Sequence, residues 1–81
     1  MTVKVLFFSL LRDLAGTDQL ALALSASATL GDAVERLRER CPSLAAWDGR
    51  LLLAVNGAYA NRATSLADGD EIALMPPVQG G

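Results

Sequence analysis

The sequence predicts an α+β domain in which one long helix lies across one face of a small mixed sheet. Three observations lead there. Leu30, Ala33, Val34, Leu37 and Cys41 recur at i, i+3, i+4, i+7 and i+11, the apolar stripe of a helix. Strand-like segments on both sides of that stripe give the order β-β-α-β-β-β. With 81 residues there is room for one core and no second one. Surface scaling for this mass gives ~4,700 Å² folded against ~12,300 Å² unfolded, enough burial for a modest core without staples.

The elements follow in order. Residues 2–9 (TVKVLFFS) read as a strand, with Val3, Val5 and Phe7 on one face and Lys4, Leu6 and Phe8 on the other. Residues 10–15 look like a short helix that stops at Gly16, and Gly16-Thr17-Asp18 makes a loose connection. Residues 19–24 (QLALAL) alternate, which places Leu20, Leu22 and Leu24 inward in a second strand. Thr29 followed three residues later by Asp32 is a capping box in weaker form, opening the main helix. Asp32 and Arg36 form an i,i+4 pair on the wet side. Pro42 bounds the helix because the residue before a proline resists the helical region. A further short turn is expected over 43–47. Residues 50–56 (RLLLAVN) are nearly all apolar, as in a central strand buried on both faces. Asn56-Gly57 marks a tight turn into a weak strand over 58–62. Asp68-Gly69-Asp70 turns into the last strand, 71–75 (EIALM). The domain is therefore read as residues 1–75, with 76–81 (PPVQGG) as an extended C-terminal tail.

Composition excludes much chemistry. Leu and Ala supply 15 and 14 residues of a chain that is 52% hydrophobic and 20% charged, a globular composition. With no histidine, Ser-His-Asp and Cys-His catalysis and histidine-held metals are ruled out. One cysteine, Cys41, allows no internal disulfide and no Cys-x-x-Cys site. A net charge of −2 argues against an extended nucleic-acid footprint. The opening residues read as a strand rather than a signal peptide, and no apolar run is long enough to span a membrane. A cytoplasmic protein with no metal and no bound cofactor is expected.

The tail is where chemistry remains. Pro76 and Pro77 cannot donate ladder hydrogen bonds, so they end the sheet and favour an extended path. Fully extended, the six tail residues reach ~20 Å. Gly80 and Gly81 lack Cβ atoms and can thread a narrow slot, which makes Val78 the last bulky side chain but one before the tip. A terminal Gly-Gly alone is a weak signal, since linkers also end this way. Placed on a Pro-Pro exit directly after a closing strand, it points to the Gly81 carboxylate as a group presented to partner enzymes.

The tail MPPVQGG, the preceding LADGDEIAL, the opening VKVLFFSLLRDLAG and the VNG turn resemble the family of molybdopterin synthase small subunits over essentially the whole chain. The resemblance implies a ubiquitin-like β-grasp fold and a sulfur carrier. It implies that the Gly81 carboxylate is adenylated by a ubiquitin-activating-enzyme-like adenylyltransferase using ATP, then converted to a thiocarboxylate with sulfur from a donor such as a cysteine desulfurase. Sulfur would pass to cyclic pyranopterin monophosphate in a heterotetramer of two small and two large subunits, where the large subunit holds the catalytic residues. Thiamine-thiazole sulfur transfer and protein modification through Gly81 are the alternatives.

Strand parity marks a surface independently. Lys4 and Glu71 point to solvent, so Phe8 and Met75, which share their parity, are apolar and outward, as a docking patch would be. Met75 stands where the family commonly carries an aromatic residue. The resemblance adds Tyr59 and Arg12 as partner contacts. Cys41 and Trp47 read as core, and Arg36 to Arg40 as a solvated helix face balanced by Glu35 and Glu39.

Overall fold

A computed structural model describes residues 1–47 and 49–77. The chain runs β1 (Thr2–Phe7), α1 (Leu10–Ala15), β2 (Gln19–Ala23), α2 (Leu30–Arg40), a 3-10 turn (Pro42–Trp47), β3 (Leu52–Val55), β4 (Ala58–Tyr59) and β5 (Glu71–Met75). The strands form one five-stranded sheet in the order β2-β1-β5-β3-β4. β1 and β5 are parallel, whereas β1–β2, β3–β5 and β3–β4 are antiparallel. The sheet is mixed and α2 lies on one face of it, as the sequence predicts.

The alternation in β1 decides which face is filled. Val3, Val5 and Phe7 are at most 2% exposed and meet Leu22, Ile72, Leu74 and Leu53 on the neighbouring strands. Leu30, Ala33, Val34 and Leu37 of α2 close over them. Each large side chain buried there contributes about 1.5–3 kcal/mol. Leu20 and Leu24 are half-buried at the margin of this core, and Leu22 alone of that trio is fully inside. Cys41 and Trp47 are also half-buried and pack against it. The Arg50 guanidinium lies 4.9 Å from the Trp47 ring centroid, and its Nη2 donates to the Ala46 carbonyl at 2.6 Å.

Helix α2 starts where its cap dictates. The Asp32 N–H donates to Thr29 Oγ1 at 3.3 Å, and the Thr29 N–H donates to Asp32 Oδ2 at 2.9 Å. The capping box thus engages the carboxylate that the sequence pairs with Arg36. Within this helix Arg38 pairs instead with Glu35, at 2.9 Å, and Arg62 approaches the same carboxylate at 3.9 Å. The next amides, Leu30 and Gly31, donate to the Thr64 and Arg62 carbonyls at 2.8 and 2.9 Å. That approach favours glycine: a Cβ on Gly31 would sit 3.2 Å from both Arg62 Cβ and Arg62 O, close enough that Arg62 would have to give by a few tenths of an ångström.

Two strands differ from the sequence reading. The middle of the sheet is β5 rather than the apolar run at 50–56, which supplies β3, one place from the edge. Leu53 and Ala54 point to opposite faces and are both buried, so the run is covered on both sides without being central. The weak strand at 58–62 shortens to Ala58–Tyr59, because at Asn61 the side chain takes the Ala63 N–H (2.9 Å) and turns the chain away. Asn56-Gly57 is the tight turn expected, with φ of 51° and 85°, the positive pair of a type I′ hairpin.

A polar clasp holds the far end of the sheet. Asn56 Nδ2 donates to Asp70 Oδ1 at 2.9 Å, and Ala67 N–H donates to Asp70 Oδ2 at 2.8 Å. Glu71 N–H returns to Asn56 Oδ1 at 2.9 Å. The backbone bond from Ala67, followed by that from the Asn56 amide, holds the Asp70 carboxyl below its ordinary value of 3.8. A depressed folded value means that the unfolded chain binds the proton more tightly. The clasp's contribution is therefore complete above the ordinary value and disappears as pH falls through the lowered one. Thermal melts from pH 6 to pH 2 are expected to show an acid-linked loss of stability that Asp70→Ala removes, with the variant already less stable at pH 6. Parallel profiles for the two proteins would contradict this role.

Candidate docking face and carrier terminus

Among the described residues, no helix lies on the face of the sheet opposite α2. Register puts one row of side chains across four strands there: Leu6 beside Ala73, Ala73 beside Ala54, and Ala54 beside Tyr59. Two alanines floor the row and larger side chains wall it. The next row sets Met75 beside Leu52, and the Phe8 N–H donates to the Leu74 carbonyl at 3.2 Å, which ties Phe8 to the end of β5. Leu6, Phe8, Ala54, Gly57, Tyr59 and Met75 line one shallow trough, with Glu71 at its polar end. Phe8 is 44% and Tyr59 77% exposed.

The structure therefore brings Phe8, Met75 and Tyr59 onto one surface. Parity alone identified the first two; Tyr59 joins them because β4 is a two-residue edge strand with nothing beyond it to cover the ring. The alanine floor escaped the sequence reading. Ala54 and Ala73 are small and unremarkable in composition, and only the pairing register shows that they are neighbours. Arg12 sits apart, exposed on α1, along an adjoining groove with Phe8, Ser9, Asp18 and Gln19.

Pro76 and Pro77 follow β5 outside the ladder and are half-buried. Val78, Gly80 and Gly81, which the sequence assigns to tail threading and reaction, lie outside the described residues. Among the described residues there is no buried polar or charged residue, and no group of three or more His, Cys, Asp or Glu side chains converges as a metal site would require. No helix among them is long and apolar enough to cross a membrane.

The ThiS family model matches residues 5–81, which takes in nearly the whole domain and its terminus. The chain belongs to the ThiS family. It is 41% identical to the molybdopterin synthase sulfur carrier subunit of Escherichia coli (strain K12) over 85 aligned positions, spanning 98% of this chain and 99% of that one. In three dimensions it is similar to small archaeal modifier protein 1 of Haloferax volcanii, with a TM-score of 0.90, 30% identity and complete coverage of both chains. It is also similar to a chain in the complex of subunits 1 and 2 of the molybdopterin-converting factor from Helicobacter pylori, with a TM-score of 0.72, 32% identity and complete coverage of both. These neighbours identify the sheet-and-helix arrangement of this ThiS-family chain as the β-grasp fold of ubiquitin-like sulfur carriers.

The two faces of β1 differ in what they tolerate. A charge at Phe8 stays in water, so Phe8→Glu is expected to melt within a few degrees of the parent. Phe7 is 2% exposed, so Phe7→Glu buries an unpaired carboxylate and is expected to unfold the domain. Unfolding of the Phe8 variant in a thermal melt would show that this face belongs to the core.

Proposed function

We propose that this chain is the sulfur carrier subunit of a molybdopterin synthase, with the Gly81 carboxylate as its one reacting group. The observation that carries this reading is full-length similarity to sulfur carrier subunits of that name, with the family match running through Gly80 and Gly81. The geometry supports a division of labour. Residues 1–75 supply a rigid β-grasp body with an apolar trough, and 76–81 supply the reach. The trough ends at Phe8 and Met75, where β5 passes the chain to Pro76, so a partner gripping it receives the root of the tail in a fixed place.

The reaction sequence follows from carboxylate chemistry. A carboxylate is ionised at neutral pH and resists substitution until one oxygen becomes a good leaving group. A partner adenylyltransferase supplies this: a Gly81 oxygen attacks the α-phosphorus of ATP, and pyrophosphate leaves. The outer sulfur of a persulfide formed by a cysteine desulfurase then attacks the acyl carbon and displaces AMP. A second thiol reduces the resulting acyl disulfide, leaving as a disulfide with the persulfide's inner sulfur and freeing the thiocarboxylate for the large subunit. There its sulfur attacks a side-chain carbon of cyclic pyranopterin monophosphate, and a carbon–oxygen bond at that carbon breaks with the oxygen leaving as water or as phosphate oxygen. Hydrolysis of the acyl link then restores the carboxylate. Acid/base groups and the nucleotide site are assigned to partners: this chain has no histidine, and among the described residues no polar or charged side chain is buried where a reaction could be enclosed. The trough, Arg12 and Tyr59 form the contact surface, in a heterotetramer of two carriers and two large subunits. The setting is cytoplasmic, and the carrier holds no cofactor of its own.

A dithiolene contains two sulfurs, so each product molecule consumes two charged carriers. Reconstitution of thiocarboxylated carrier with the large subunit and cyclic pyranopterin monophosphate, without ATP, is expected to yield molybdopterin at that ratio. Deleting Gly81 is expected to abolish transfer and leave binding largely unchanged. No product from the thiocarboxylated chain, with a large subunit active on a known carrier, would refute the assignment. Accumulation of lysine-linked adducts in place of the oxygen-to-sulfur mass gain would favour a protein modifier.

A further inference from the structure

Two non-glycine residues among those described have positive φ: Asn56 at 51° and Ser9 at 53°. Asn56 is accounted for by its hairpin. Ser9, with ψ of −135°, belongs to no hairpin. It stands between Phe8 and α1, where the Leu11 N–H donates to the Phe8 carbonyl and the Arg12 N–H to the Ser9 carbonyl, each at 3.1 Å. The first of these bonds closes a β-turn whose leading central residue is Ser9. Its angles are those of a type II′ turn, a position that favours glycine because a Cβ is strained there. The hydroxyl does not hold the turn, since the Ser9 side chain makes no capping bond to α1.

The turn has a definite consequence. It leaves Phe8 hydrogen-bonded to β5 and 44% exposed in the trough, turns Leu11 fully into the core, and brings Arg12 to the adjoining groove. Leu10, on its other side, is 40% exposed. The joint seats Leu11 in the core, yet both side chains that flank it in sequence, Phe8 and Leu10, stay outward, so its strained backbone also fixes how an apolar surface is presented. We infer that Ser9 is a positioning residue for docking: its positive-φ backbone sets Phe8 and Arg12 in the arrangement that the partner reads. This rests on the reading of the trough as the partner surface, and it names the residue that shapes that surface.

The backbone angle, not the side chain, is the operative property. Ser9→Ala and Ser9→Gly keep the turn and are expected to bind the large subunit within about twofold of the parent, the glycine variant with a higher melting temperature. Ser9→Val is different, because a β-branched residue does not hold this φ. The Phe8–Ser9 peptide must rotate, which frees the Phe8 carbonyl from Leu11. Binding is expected to weaken by at least about tenfold. Hydrogen exchange of the Leu11 amide, which donates to the Phe8 carbonyl, should accelerate by a similar factor in the free carrier while the amides of Val3 and Val5 keep their protection.

Failure of the parent itself to bind would count against the functional reading, and the Leu11 amide would still report on Ser9. An unchanged Leu11 amide in a folded Ser9→Val variant, or parental affinity in that variant, overturns the inference. If the valine variant does not fold, a synthetic chain with D-alanine at position 9 decides the matter. D-alanine favours positive φ, so a raised melting temperature with parental docking is expected. A melting temperature at or below the parent's, or docking weakened tenfold, overturns it.

Discussion

The parallel pairing of β1 with β5 is the constraint on which the rest depends. It sets the first strand of the chain beside the last, with Lys4 against Glu71 and Phe7 against Leu74. Parallel neighbours end on the same side, so Phe8 and Met75 finish together at the point where the tail begins. Their alternation sends Val5, Phe7, Ile72 and Leu74 under α2 and leaves Leu6 and Ala73 on the open face. A one-residue slip would exchange the two faces and bury the trough. The far end of the same pair is fixed by backbone and side-chain bonds, including Lys4 N–H to the Asp70 carbonyl at 2.9 Å and Thr2 N–H to Asp68 Oδ1 at 2.8 Å.

That arrangement separates stability from chemistry. The core side of the sheet is wholly apolar among the described residues, and polar side chains lie in caps, turns, the exposed helix face and the solvent side of the strands, as Lys4 and Glu71 do. Nothing in the interior is poised to react. The proposed reaction is assigned to Gly81, beyond the two prolines that follow β5, and the proposed docking to the sheet, so recognition and reaction fall on different residues.

Much of this was legible in the sequence because local signals and global fold agree. The Thr29–Asp32 box, the helical stripe from Leu30, the Asn56-Gly57 turn and the alternation in β1 and β5 each specify their own element. Parity of Lys4 and Glu71 was enough to place Phe8 and Met75 outward. What stayed hidden was non-local. Strand order is set by pairing between residues far apart in sequence, so the run at 51–53 looked more central than β5. The Ala54–Ala73 floor appears only through register. The backbone at Ser9 also escaped, because serine carries no residue-type signal for positive φ, whereas Asn-Gly does. Arg36 was legible as exposed, but its expected partner Asp32 was already engaged by the cap.

The most direct test of the central claim is hydrogen–deuterium exchange of the full-length carrier, free and bound to the large subunit. The account predicts slowed exchange at the end of β1, in β4 and at the end of β5, with the amides of α2 around Arg36 and Glu39 unchanged. Protection concentrated on α2, with the trough exchanging as in the free protein, would contradict it.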